Sequence, residues 1–276
     1  MPLSINSFHS FVVGANSPVG NALVKRLAEQ GYVYKSLTFD SQEQLTQLAA
    51  SRPFLLLLPS VFNPTDLTAD LSHWLKQAEL LDAKVVLLSS LAVFPKGEPL
   101  WREEQLSVSN SSLARQLLLI EEKVKEFPRH LILRVGQVFS LQEQDFAWQI
   151  LQNLRQNQAL TLDNSEVFSP TPAIDVADVL LAMLKQANCN ERLWGCYHFS
   201  GVEPVTAFKF AEALLAELKQ RESLQTNQLA EQAGGMMPSI EVASADNTKL
   251  FYSFGIKSKA WRKQVAKVVQ DYYAQA

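Results

Sequence analysis

The sequence predicts an α/β fold, a doubly wound parallel sheet with helices on both faces, joined to a smaller C-terminal lobe. Three observations predict it. Short apolar runs alternate with segments of helical period over residues 1–136. The runs are uninterrupted rather than alternating, as in strands covered on both faces. The 276 residues are 47% hydrophobic and 19% charged, enough apolar material for a full core.

The elements follow in order. "SFVV" (10–13) reads as a strand, "PVGNALVKRLAEQG" (18–31) as a helix ending at Gly31, "YVYKSLTF" (32–39) as a second strand and "SQEQLTQLAA" (41–50) as a second helix. "PFLLLLP" (53–59) is a fully apolar strand; a helix near 66–81, the strand "KVVLLSS" (84–90), a helix near 111–126 and the strand "HLILRVG" (130–136) continue the alternation. Beyond Gly136 the rhythm loosens. A helix over 146–160, a loop with an Asp-capped helix over 169–187, a short strand over 195–201 and a helix over 206–220 are predicted. The polar stretch 221–239, with "GGMMP" inside it and no apolar face, reads as a mobile connection or lid.

Composition excludes several functions. Lys and Arg number 25 against 28 Asp and Glu, a net charge of −3, so no global basic field draws nucleic acid or an anionic membrane. Cys189 and Cys196 are too few for a disulfide framework or a thiolate cage, and the four histidines form no ligand-spaced pair, so no metal site is expected. The N-terminal stretch lacks a basic start and a long apolar core, and no run approaches the roughly 18 apolar residues of a membrane span; a cytoplasmic protein is expected.

The chemistry-bearing stretch is "GANSPVG", Gly14 to Gly20, between the first strand and the first helix. In a Rossmann-type turn the first Gly makes the bend, the second admits the pyrophosphate and the third lets helix pack on strand. Here the spacing is GxxGxxG with Gly14 and Gly20 in place and Ser17 in the middle position. The turn therefore nominates Gly14, Asn16, Ser17, Pro18, Val19 and Gly20 as dinucleotide contacts, since a helix N-terminus after strand one favours an anion. The plainer alternative is a strand-to-helix turn with Ser17 as N-cap and Pro18 in the first helical position. Asp40, after the second strand, is a ribose ligand or a solvated turn residue.

Further stretches carry a resemblance: "LLSSLAVF" (87–94), "LILRVGQVF" (131–139), "SPTPAIDVADVL" (169–180), "YHFSGVEPVTAFKFAEAL" (197–214) and "ASADNTKLFYSFGIKSKAWRKQV" (243–265). With the turn they make the chain resemble, along most of its length, the dTDP-4-dehydrorhamnose reductase group of extended short-chain dehydrogenases. That group's non-catalytic relatives include the regulatory subunit of methionine adenosyltransferase. The resemblance implies an NAD or NADP site walled by Pro59 and Ser60, which stand in the group's small-residue loop, and a catalytic hydroxyl at Ser90, which otherwise reads as a turn or cap serine. It also implies diphosphate contacts by Lys249 and Arg262, otherwise solvated cations on amphipathic helices. Asp175 is expected to cap its helix.

One departure is large. The group carries Tyr-x-x-x-Lys followed four residues later by Glu, so that Tyr and Lys share a helix face and a phenol delivers the proton as hydride arrives. In "NSSLARQLLLIEEKVKEF" (110–127), anchoring on Glu121 puts Leu117 and Leu113 in the Lys and Tyr positions, and anchoring on Glu122 puts Leu118 and Ala114 there. No Tyr lies between Tyr34 and Tyr197 and no Lys between Lys96 and Lys123. The expectation is a nucleotide-binding relative without the reductase apparatus, a sensor or regulatory subunit. The alternatives are an NAD(P)H-dependent reductase or epimerase of a nucleotide sugar, and a scaffold that binds no nucleotide. The expected domains are 1–140 with about 166–197 for the dinucleotide, and about 141–165 with 198–276 for a nucleotide-sugar ligand. The crowding of Leu113, Leu117, Leu118, Leu119 and Ile120 points to a homodimer through that helix or to simple core burial.

Overall fold

The computed structural model describes residues 8–275, except 47, 50, 61–70, 97–99, 106–108, 143–144, 225–228 and 239–244. The N-terminal half runs β1 (His9–Val13), α1 (Pro18–Glu29), β2 (Val33–Leu37), β3 (Phe54–Leu57), α2 (Ser72–Leu80), β4 (Lys84–Ser90), α3 (Ser112–Lys125) and β5 (His130–Val135). Then come β6 (Val138–Phe139), α4 (Phe146–Arg155), β7 (Leu160–Leu162), β8 (Val167–Phe168), β9 (Thr171–Pro172), α5 (Ala173–Ala187) and β10 (Gly195–Phe199). The chain finishes with β11 (Val205–Thr206), α6 (Ala207–Leu218), β12 (Leu229–Glu231), α7 (Thr248–Phe254) and α8 (Arg262–Gln275).

Six strands form one parallel sheet in the order β10-β5-β4-β3-β1-β2. The chain moves outward from β1 to β2, then crosses back to β3 on the other side of β1. The order therefore reverses between β1 and β3, where open sheets of this kind leave a crevice at their carboxyl ends. Both faces are covered, which is why the inner strands carry apolar runs such as Phe54–Leu57, whereas the edge strand β2 is part-exposed. Val12, Leu56, Val86 and Leu133 pack with Leu23 of α1 and Leu180 of α5. Phe11, Leu55, Val85 and Ile132 pack on the opposite side with Trp74 of α2 and Val124 of α3. The helices start where short polar side chains cap them: Ser17, Ser111, Asp145 and Thr206 each accept a first-turn amide.

A second core lies beyond the sheet. Phe139, Phe146, Phe168 and Phe210 meet edge-on or stacked, and Leu214, Trp261 and Val265 close the cluster. Its frame is α4, α6 and α8 with the small ribbons β7–β12 and β8–β11, whose two- and three-residue strands have too few residues to show a period.

Several expectations are corrected. The segment 41–50 is not a helix in its described residues. The Ser41 hydroxyl takes the Glu43 amide and the Leu45 amide donates to Gln77 of α2, so local and tertiary bonds replace the helical ladder. The helix begun at 146 stops at Arg155, because Asn157 turns left-handed (φ 53°) and Leu160 enters β7. Of the predicted helix 66–81, residues 66–70 lie outside the described residues. Asp175 does not cap α5. Pro172 stands at the N-cap, and the Asp175 carboxylate accepts from Gln264 of α8 at 2.9 Å. The stretch 221–239, expected to be a mobile connection or lid, is tied down over 229–236. β12 pairs with β7, the Gly234 amide donates to Asp163, and at Gly235 a Cβ would lie 2.5 Å from the Leu162 carbonyl carbon. The glycine pair is there to let the backbone cross a strand closely.

Candidate functional site

At the switch point the Gly14 and Ala15 amides both donate to the Leu37 carbonyl, and the Leu58 amide donates to Val13, which joins the ends of β1, β2 and β3. Gly14 has φ +86°, and a Cβ there would lie 2.4 Å from the Leu58 oxygen and 2.6 Å from the Phe39 ring. At Gly20 a Cβ would lie 2.0 Å from the Gly14 oxygen. The two retained glycines thus meet strict steric demands of the turn itself.

Two clefts flank the turn. One is narrow, about 280 Å³, and is lined by Ser17, Pro18, Val19, Pro59 and Ser60 together with Leu88, Val135 and Val138. The other is an open groove over Asn16, Asn21, Ser36, Thr38 and Glu43. The structure thus brings together eight of the nine nominated cofactor residues, Gly14 and Gly20 as backbone and the rest as cleft lining. Asp40 is exposed and lines neither cleft, while its neighbour Phe39 is buried against Gly14.

The remaining nominees are occupied by intrachain contacts. Ser90 is fully buried and its hydroxyl accepts from the Ala92 amide at 3.1 Å, capping a short turn over Leu91–Val93. The Lys249 ammonium lies 3.8 Å from Glu104 and 5.2 Å above the Tyr197 ring. The Arg262 guanidinium stacks 4.5 Å over Trp261 and is 3.9 Å from Glu203. Neither cation lines the clefts at the turn.

Helix α3 decides its own register. Glu121 is fully buried, whereas the Glu122 side chain is 74% exposed. Glu121 therefore marks the sheet-facing stripe, on which Leu117 lies one turn earlier and Leu113 two. Leu117 is 2% exposed, in a cluster with Leu91, Val93, Phe94, Trp101 and Ala245, and Leu113 packs against that cluster. Phe94 and Trp101 stack at 4.8 Å with nearly parallel rings. Of the crowded α3 leucines, Leu117 is core and Leu119 is the one exposed to solvent, at 65%.

The sequence reading missed a buried polar row beneath this cluster. Strand register places Ser89, Arg134 and His198 side by side on β4, β5 and β10. Arg134 donates through Nε to Glu121 Oε1 at 2.9 Å and through Nη2 to Oε2 at 2.6 Å, and the Ser89 hydroxyl donates to Oε1 at 2.6 Å. Arg134 Nη1 approaches His198 Nε2 at 3.4 Å, and His198 Nδ1 lies 3.1 Å from the Trp101 carbonyl. Since the carbonyl only accepts and the guanidinium only donates, Nδ1 carries the proton and the imidazole is neutral. A lone Arg inside "LILRV" was the available signal.

Burial, then the Arg134 charge, push the His198 pKa down to about 3. An unfolded chain binds that proton near pH 6.5. The neutral imidazole thus contributes stability that is complete above pH 6.5 and lost as pH falls toward 3, about 1.4 kcal/mol per pH unit. His198→Gln is expected to flatten the wild-type fall in unfolding free energy between pH 6 and pH 4. Parallel slopes for the two proteins in denaturant titrations would remove the assignment.

The family model for the RmlD substrate binding domain matches residues 70–274, well over half of the chain. The chain belongs to that family. Within the extended short-chain dehydrogenase architecture, its fold matches a dTDP-4-dehydrorhamnose reductase from Bacillus anthracis solved with NADP (TM-score 0.78, 15% identity, 96% of this chain and 98% of that one). It also matches a dTDP-4-dehydrorhamnose reductase from Clostridium acetobutylicum (TM-score 0.75, 16% identity, 96% and 100%). A curated dTDP-4-dehydrorhamnose reductase of Aggregatibacter actinomycetemcomitans is 24% identical over 147 residues, 51% of this chain, so the chain spans about half the length of that relative. Among the described residues, no helix is long and apolar enough to cross a membrane.

Proposed function

We propose that this protein is a dinucleotide-binding member of the RmlD family that does not perform the standard reduction and acts as a sensor or regulatory subunit. The observation that carries the proposal is Leu117, sealed at 2% exposure in an apolar cluster; the resemblance aligns it with the lysine whose ammonium lowers a catalytic phenol's pKa. NAD or NADP fits the turn in two respects. Gly14 and Gly20 let the chain make the tight strand-to-helix bend, since a Cβ at either would strike Leu58, Phe39 or Gly14 of the turn itself, and Asn16, Pro59 and Ser60 border the clefts on either side. Those residues would hold the cofactor, with Asp40 near the ribose end; when bound, the nicotinamide supplies hydride. Among the described residues lining the two clefts there is no phenol or ammonium to move the accompanying proton, and the Ser90 hydroxyl accepts from the Ala92 amide in a turn outside both clefts.

The ligand facing the cofactor is proposed to be a nucleotide sugar, as in the group the chain resembles. It would lie between a dinucleotide domain, 1–140 with about 166–197, and a ligand lobe, about 141–165 with 198–276. Lys249 and Arg262 would leave Glu104 and Glu203 to meet its diphosphate, an exchange of one carboxylate partner for a doubly charged one. The protein works in the cytoplasm and touches neither nucleic acid nor membrane. Two copies pair through α3, whose Leu119 is exposed and whose Leu113, Leu118 and Ile120 are half-buried. Sedimentation velocity is expected to give a dimer, and a monomer at high concentration would remove that part.

Titration with NADH and NADPH, followed by nucleotide-sugar ketones under whichever binds, tests the whole. Saturable binding is expected with turnover lower by about 10² to 10⁴ than with a positioned general acid. Turnover near 10 per second, an ordinary enzymatic rate, would defeat the regulatory reading. Failure of both dinucleotides to bind would favour a scaffold.

A further inference from the structure

We infer that the cavity bordered by α1 and α8 binds a free aromatic amino acid, with Lys25 meeting its carboxylate, Asp271 its ammonium, and Tyr272 and Ile174 its ring. The cavity measures about 620 Å³, within the range of about 300–1,000 Å³ usual for small-molecule sites. One wall is a stripe of α1, Pro18, Asn21, Ala22 and Lys25, at three- and four-residue spacing beside the stripe of Val19 and Leu23 that packs on the sheet. Another is Val268, Asp271 and Tyr272 of α8, and the turn 139–142 with Ala173 and Ile174 completes the lining. The cavity shares Pro18 with the narrow cleft and Asn21 with the open groove, and its other lining residues belong to neither. It is a site apart from the dinucleotide turn.

Two opposite charges line this space without pairing. Among the described residues the Lys25 ammonium and the Asp271 carboxylate make no ion pair or hydrogen bond, and the side-chain amides of Asn21 and Gln142 make none either. Arg26 beside them differs, since Asp178 at 2.7 Å and Glu29 at 2.9 Å already hold it. A ligand that satisfies both walls carries an ammonium and a carboxylate around an apolar body, which is the form of an α-amino acid. A simple anion would face Asp271 with like charge, and a simple cation would face Lys25 so. Tyr272 selects a ring. Arg155 fixes it beforehand, donating through Nη1 to the phenol at 2.7 Å with the guanidinium 5.4 Å from the ring centre. A second ring therefore packs there with little ordering cost. The turn is fixed as well: Leu141 stands at φ 60°, and Asp145 accepts from the Ser140 and Gln142 amides on either side of it. Since Leu23 of α1 belongs to the sheet core and Val268 of α8 to the second core, an occupant ties the two together.

Calorimetric titration of the full chain without dinucleotide, using L-phenylalanine, 3-phenylpropionate and 2-phenylethylamine, tests the inference. L-phenylalanine is expected to saturate and to raise the melting temperature. Each analogue lacks one charge and should bind at least about ten-fold more weakly. Lys25→Ala should weaken L-phenylalanine about ten-fold and leave 2-phenylethylamine as it was, because that probe has no carboxylate to lose. Asp271→Asn should weaken L-phenylalanine about as much and leave 3-phenylpropionate as it was. Neither side chain holds another part of the fold, so without ligand both variants should melt close to wild type. Equal affinity for the three probes would overturn the inference, as would equal affinity of the three proteins for L-phenylalanine or its failure to saturate wild type. No readout uses a dinucleotide, so failure here and failure of the nucleotide reading are separate results.

Discussion

Replacing Glu121 with Ala is expected to cost about 3–5 kcal/mol of stability, the range for removing one partner of a buried ion pair. The loss comes from what is left behind. Arg134, 6% exposed, would keep its charge without the two oxygens that now accept from Nε and Nη2, and the Ser89 hydroxyl would lose its acceptor. His198 Nε2 and the Phe94 ring, which lie beside the guanidinium, cannot neutralise it. For a chain of this size the melting temperature should fall by roughly 6–20 °C. Glu121→Gln, which keeps an acceptor in place, should lose less. A Glu121→Ala protein that melts within 2 °C of wild type would show that the row is not what holds α3 to the sheet.

How far the sequence disclosed the molecule depends on the range of the interactions concerned. The central sheet was readable because its strands are buried on both faces and so carry continuous apolar runs, as in Phe54–Leu57. Gly14 and Gly20 were readable because positive φ and a 2.0 Å approach leave glycine as the fitting residue. Ser17 was readable as a cap because capping is a bond over three residues. The segment 41–50 was misread because its fate turns on Gln77, 32 residues from Leu45. The row of Ser89, Arg134 and His198 depends on the register of three strands, and pattern in any single strand does not carry register. Asp175 illustrates the same limit: its position in the first turn of α5 suggested a cap, and its actual partner sits on α8, 89 residues on.

Introducing a Tyr-x-x-x-Lys pair on α3 as Leu113→Tyr with Leu117→Lys is expected to yield a destabilised protein rather than a reductase. The two substitutions supply the right chemistry at the right spacing, and on sequence grounds alone they should raise turnover. The structure opposes that outcome. The Leu117 side chain ends among Leu91, Val93, Phe94, Trp101 and Ala245, and an ammonium there would be buried against apolar side chains. The nearest acid one turn along, Glu121, has both oxygens engaged by Arg134 and Ser89. An unpaired buried charge costs about 3–5 kcal/mol, and a lysine in such a place sheds its proton instead of acting as a cation. Leu117→Met, of similar volume, should cost less than about 1.5 kcal/mol and separates the effect of charge from that of shape. Melting curves and turnover on a nucleotide-sugar ketone decide the matter together. If the double variant melts like wild type and gains the rate of an ordinary enzyme, the apolar cluster is soft filling and the two side chains are all that divides this protein from a catalyst. If it melts low and stays inert, the packing of Phe94 and Trp101 around Leu117 is what keeps such a pair off this helix face.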